Sequence, residues 1–85
     1  MQSPDIKEAK ILENYLIYIL FCNGEEKLFD LKPYLKFKVF EALRDENELK
    51  EFSIVDGTIE WKCGADFSTD TFYIESKQIS KNAIM

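Results

Sequence analysis

The residues able to do chemistry fall into three groups. Asp30, Asp56, Asp66 and Asp70 sit near expected turns, Lys32, Lys36 and Lys38 interleave with Tyr34 and Phe37, and Cys22 and Cys63 are the two thiols. Carboxylates near turns could form a general acid–base pair or bind a hard cation. Turn chemistry explains the same positions: Asp56 precedes Gly57, Asp66 can bond its own loop backbone, and Asp70 falls at a helix start. No spacing matches a calcium loop. Turn chemistry is therefore the preferred reading, and neither a metal nor another cofactor is expected.

Lysines interleaved with rings can hold single-stranded nucleic acid by charge and stacking. The chain carries 16 acidic against 11 basic residues, a formal net charge of −5. Against that balance three lysines are a weak footprint, and nucleic acid is not the expected partner. The favoured alternative is a solvated edge whose rings enter the core. The cysteines form no C-x-x-C pair. Two half-buried free thiols in a reducing compartment are expected, with a disulfide as the alternative. Gly24, Gly57 and Gly64 are isolated, so no phosphate cradle is present.

Histidine is absent. Ser-His-Asp and Cys-His catalysis are thereby excluded in their usual forms, and zinc loses its commonest non-thiolate ligand. Any acid–base step would need a raised carboxylate or a depressed Lys or Cys. No catalytic residue is assigned, and the protein is read as a non-enzyme. The candidate contact residues are Tyr34, Phe37, Trp61, Asp66 and Tyr73. Trp and Tyr are enriched at binding hot spots, although Trp61 alternates in phase with Ile59, which favours the core.

These side chains need elements to position them. Residues 15–22 carry Ile, Tyr and Phe in alternation with apolar residues on both faces, which predicts a central or doubly covered strand. Asn23-Gly24 predicts a type I′ turn and a returning strand over residues 25–31. A short leading strand is expected at residues 10–13, behind a loose polar lead-in at residues 1–8. Pro33 ends the hairpin. Residues 37–46 read as a helix whose apolar stripe is Val39, Phe40 and Leu43. A second hairpin spans residues 51–62 around Asp56-Gly57. Ser68 is the expected N-cap of a short helix over residues 69–76, anchored by Phe72 and Tyr73. Residues 77–85 read as a frayed tail. The predicted fold is α+β: an antiparallel sheet from two hairpins and a leading strand, with one central and one short C-terminal helix.

The 85 residues suffice for one domain, placed at residues 9–76. The N-terminus lacks a basic region followed by an apolar stretch, so no signal peptide is expected. The longest apolar run, residues 15–22, is far short of the roughly 20 residues that span a bilayer. A cytoplasmic protein with no membrane partner is expected.

The stretches Phe21-Cys22-Asn23-Gly24-Glu25, Phe29-Asp30-Leu31 and Pro33-Tyr34-Leu35 resemble the opening half of domain-of-unknown-function family 2442. Phe52, Gly57-Thr58-Ile59-Glu60-Trp61, Gly64-Ala65-Asp66 and Phe72-Tyr73 are similar to its second half. The likeness covers residues 9–75 and implies a small bacterial α+β domain of no established biochemical function. It implies a paired arrangement with another small protein encoded nearby, similar to a toxin–antitoxin pair. Other members resemble modules joined to a helix-turn-helix domain, and with about ten residues after the matched pattern no such domain is expected here. The expected role is a protein–protein interaction or accessory module, with sheet edges open to a partner strand or a second copy. The alternatives are a small ligand-binding or carboxylate-based enzyme domain and an accessory domain of a transcription regulator.

Overall fold

Strand formation follows the alternation of apolar residues in the first half of the chain. In the computed structural model, which describes residues 3–65 and 67–79, β1 (Ile6–Ile11), β2 (Leu16–Phe21), β3 (Glu26–Asp30) and β6 (Lys77–Gln78) form an antiparallel sheet in the order β1-β2-β3-β6. β4 (Phe52–Val55) and β5 (Thr58–Trp61) form a separate two-stranded sheet. Two short α-helices, α1 (Glu46–Leu49) and α2 (Thr69–Glu75), complete the α+β fold with 3-10 segments at Glu13–Tyr15, Lys32–Tyr34 and Lys38–Arg44. Both expected hairpins form, but in different sheets. Ile6 N donates to Gly57 O at 2.8 Å, which latches the second sheet to the start of β1.

β2 is central, as its apolar faces predict. Ile17, Ile19 and Phe21 are buried, while Leu16, Tyr18 and Leu20 are half-buried on the opposite face. The leading strand begins at Ile6 rather than residue 10. Ile6 is 3% exposed, and Ala9 and Ile11 pair with Ile19 and Ile17. Lys7, Glu8 and Lys10 are exposed and separate these apolar positions. The polar residues of this edge strand look like a lead-in when read alone, and charge on an edge strand blunts unwanted pairing. Residues 77–78 likewise belong to the sheet rather than to a tail, since Lys77 and Gln78 pair with Leu28 and Lys27.

The turns divide into two kinds. Asp56 and Gly57 have φ of 52° and 79°, the two positive values a type I′ turn requires. At Asn23-Gly24 only Gly24 is positive, at 93°. There Gly24 N donates to Phe21 O and Phe21 N to Glu25 O, both at 2.9 Å. This is the three-residue loop that a left-handed glycine closes, not type I′. Asn23 Oδ1 accepts from Glu25 N at 3.0 Å, which ties that side chain across the loop. The Trp61–Ala65 backbone repeats the pattern around Gly64. Cys22 and Cys63 lie in these two loops as exposed free thiols, not half-buried ones.

The expected helix over residues 37–46 is two pieces. Residues Lys38–Arg44 are 3-10, and Asp45 restarts the chain as α1 by accepting from Asn47 N at 2.9 Å. At three residues per turn, Phe40 and Leu43 eclipse each other and Val39 falls outside. Leu43 is buried and Val39 is exposed.

An aromatic cluster holds these elements together. Phe67 stacks on Phe40 at 4.3 Å and meets Phe29, Tyr34 and Phe72 edge-on at 5.0–5.3 Å. Offset and edge-on rings are the favoured arrangements. Trp61 Nε1 donates to Leu49 O at 2.8 Å, joining β5 to α1. Ser68 caps α2 as expected, its Oγ accepting from Thr71 N at 3.2 Å.

Candidate protein-contact site

Residues 31–40 contain three lysines and no acid, an island of positive charge in an acidic chain. Pro33 supplies a fixed φ suited to the 3-10 turn Lys32–Tyr34. Leu31 and Leu35 are buried on either side of that turn. Phe37 N donates to Tyr34 O at 3.1 Å and Phe40 N to Phe37 O at 3.0 Å, so the path stays hydrogen-bonded. Phe40 then enters the aromatic cluster. With its neighbours fixed inward, the segment holds Phe37 49% exposed and Val39 70% exposed. Val39 lines a groove of about 370 Å³ with Phe40, Cys63, Gly64 and Ala65.

The lysines differ in their contacts. Lys32 pairs with Asp30 at 3.1 Å and donates to Asn14 O at 2.9 Å. Lys36 Nζ lies 5.4 Å from the Phe37 ring centre. Among the described residues, neither Lys36 nor Lys38 forms an ion pair.

The candidate contact residues do not form one surface. Tyr34 and Phe37 share the segment, but the Tyr34 ring is occupied, stacked on Phe29 at 5.4 Å. Burial first, then the charge of Glu75, raises its phenol pKa. Trp61 is 3% exposed and belongs to the core. Asp66 lies outside the described residues. Tyr73 contacts other partners: Phe21 edge-on at 5.1 Å, and Glu25 Oε1, to which its hydroxyl donates at 2.5 Å. Lys27, only 9% exposed, sits 3.7 Å from the Tyr73 ring centre and donates to Tyr73 O at 2.8 Å. These bonds clasp α2 to the β2–β3 hairpin.

The ionisable groups bear this structural reading out. The hydrogen bond from Tyr73, then that from Asn23, lowers the Glu25 pKa. Tyr18 donates to Glu26 Oε2 at 2.5 Å, and its pKa is pushed up to about 12, chiefly by that bond and then by desolvation. Folded Tyr18 keeps its proton longer than the unfolded chain does. Its contribution to stability is therefore full below pH 10 and is lost as pH rises through about 12. Tyr18→Phe is expected to remove the last tyrosine ionisation seen by ultraviolet absorbance. Persistence of that step would assign it elsewhere.

The acids near turns do turn chemistry where they are described. Asp30 Oδ1 accepts from Lys32 N at 3.0 Å, Asp56 is left-handed, and Asp70 stands in the first turn of α2, where it also accepts from the distant Ser3 Oγ at 2.6 Å. Among the described residues, no three His, Cys, Asp or Glu side chains converge on a metal position. No helix among them is long and apolar enough to cross a membrane.

Two features escape sequence reading. Val39 is assigned to the core by a helical period that the 3-10 segment lacks. Tyr15, expected as the first residue of the strand over residues 15–22, is left-handed directly after a left-handed Asn14, with φ of 60° and 59°. Asn tolerates that region, but a bulky Tyr there is strained. Tyr15 is held by its hydroxyl, which donates to Arg44 O at 2.6 Å. The bend opens a cleft of about 350 Å³ lined by Leu12, Asn14, Tyr15, Glu46 and Lys50 among others.

No curated protein and no solved structure matches the chain significantly. One family model, described as Protein of unknown function (DUF2442), matches residues 6–78. That span runs from the first residue of β1 to the last of β6, and so includes both sheets and both α-helices. The chain belongs to the DUF2442 family of proteins of unknown function.

Proposed function

We propose that this protein is a protein–protein contact module with no catalytic step of its own. One observation carries the reading: Phe37 and Val39 are held in water by a segment whose neighbours are anchored in the core. Leaving apolar surface wet forgoes about 25 cal/mol per Å², and a partner covering it recovers that energy. The partner is another small protein encoded nearby, in a toxin–antitoxin-like pair. Regulation of a transcription factor is a second form of the same role. The test is co-purification with the neighbouring gene product, comparing wild type with Phe37→Ser/Val39→Ser. Wild type is expected to retain the partner, and the double variant to lose at least about tenfold in affinity with its melting unchanged. Equal retention by both contradicts the proposal.

The cleft at Asn14-Tyr15 supports a second reading, a small-ligand or carboxylate-based site. Its volume, about 350 Å³, falls in the range of roughly 300–1,000 Å³ for such sites. Amide shifts confined to residues 11–15 and 46–50 during a small-molecule screen would favour it over the contact module.

A further inference from the structure

We infer that the face at residues 36–40 takes an acidic segment of a partner protein, with one apolar side chain seated in the groove beside Val39 and Phe40. The inference rests on the reading of this face as a contact surface and names the chemistry of what covers it. Phe37 stands between Lys36 and Lys38 in sequence, and Val39 follows directly. Lys32 is already neutralised by Asp30, but Lys36 and Lys38 are in no ion pair among the described residues. A carboxylate-bearing partner would meet them on an otherwise acidic molecule. Surface ion pairs contribute only about 0–1 kcal/mol each. The lysines therefore select and steer, and apolar contact holds. The groove, about 370 Å³, is lined by Val39 and Phe40 on one side and the Cys63–Gly64–Ala65 turn on the other.

Two other occupants fit less well. Single-stranded nucleic acid needs free rings for stacking, and Tyr34 is stacked on Phe29, which leaves Phe37 alone. A second copy meeting this face through a two-fold axis would set the same patch against itself. Lys36 and Lys38 would then oppose lysines.

The test uses the full chain labelled with nitrogen-15. Three probes are added in turn: a peptide in which glutamates flank a single leucine, the same peptide with lysines for glutamates, and an oligothymidylate of similar length. The acidic peptide is expected to shift the amides of residues 36–40 and 63–65. Lys36→Glu/Lys38→Glu should weaken that binding at least about tenfold, and the variant should then bind the lysine peptide instead. A lysine peptide that shifts the same wild-type amides as strongly would keep the contact surface and overturn the acidic partner. Stronger shifts from oligothymidylate overturn the inference in favour of nucleic acid. Concentration-dependent shifts without a probe overturn it in favour of a second copy. If no probe moves these amides while the neighbouring gene product still co-purifies, the acidic-segment inference falls and the contact-surface reading stands; failure of both removes both.

Discussion

Phe29→Ala is expected to leave the protein barely folded, whereas Phe37→Ala should hardly change its stability. Phe29 is fully buried, stacks on Tyr34 at 5.4 Å, and meets Phe67 and Phe72 edge-on at 5.3 and 5.0 Å. Its removal takes one ring out of three contacts and opens a cavity. Phe-to-Ala changes in a core cost about 3–5 kcal/mol. A small domain has about 5–10 kcal/mol in total, so about a third of it or more is lost. Phe37 touches no ring of the cluster, and substitutions at such surface sites usually stay within about 0.5 kcal/mol. Urea unfolding of the two variants separates these costs. A larger loss at Phe37 than at Phe29 would mean that the aromatic cluster is not what joins the elements.

Gly57→Ala should be the costliest change at any turn. Gly57 has φ of 79°, and a Cβ there would lie 2.4 Å from Asp5 Cγ and 2.7 Å from Asp5 Cβ. The left-handed conformation alone costs a side chain about 1–2 kcal/mol. The clash adds to this, because Asp5 must move and Ile6 N, which donates to Gly57 O, moves with it. Gly24 is the control. Its φ is 93°, but nothing lies within 4 Å of its Cβ position. Gly24→Ala should therefore show the left-handed cost alone, and Gly57→Ala about 1–3 kcal/mol more. Adding Asp5→Gly to Gly57→Ala should recover most of the excess, which a double-mutant cycle in urea would measure. Equal losses at the two glycines would mean that the two sheets are not latched here.

The legible parts of this fold are those set by local chemistry. Asp56-Gly57 forms the type I′ turn its residue types favour, and Ser68 caps α2 through its own hydroxyl. Asn23-Gly24 offers nearly the same letters, yet Asn23 avoids the left-handed region while its side chain bonds Glu25. Turn type there depends on the strands that flank it. Strand partnership is non-local, which is why the two hairpins could be found but not their division into separate sheets. The site follows the same rule. Phe37 is a candidate contact residue in the sequence, but the favoured reading of its lysine-flanked segment puts its ring in the core, and the structure leaves it exposed. Val39 is missed because a period of 3.6 keeps it near the Phe40–Leu43 stripe, whereas a period of 3.0 turns it a third of a turn away. The family resemblance was legible over residues 9–75 because spaced glycines, acids and rings keep their order, and the match over residues 6–78 adds the start of β1 and the last strand.

A partner that covers the proposed 36–40 face would protect its amides. Amide hydrogen exchange with and without the protein encoded beside it tests this most directly. Slowed exchange at residues 36–40 and 63–65, with residues 11–15 unchanged, is the predicted result. Protection confined to the Asn14-Tyr15 cleft, or none anywhere, would contradict it.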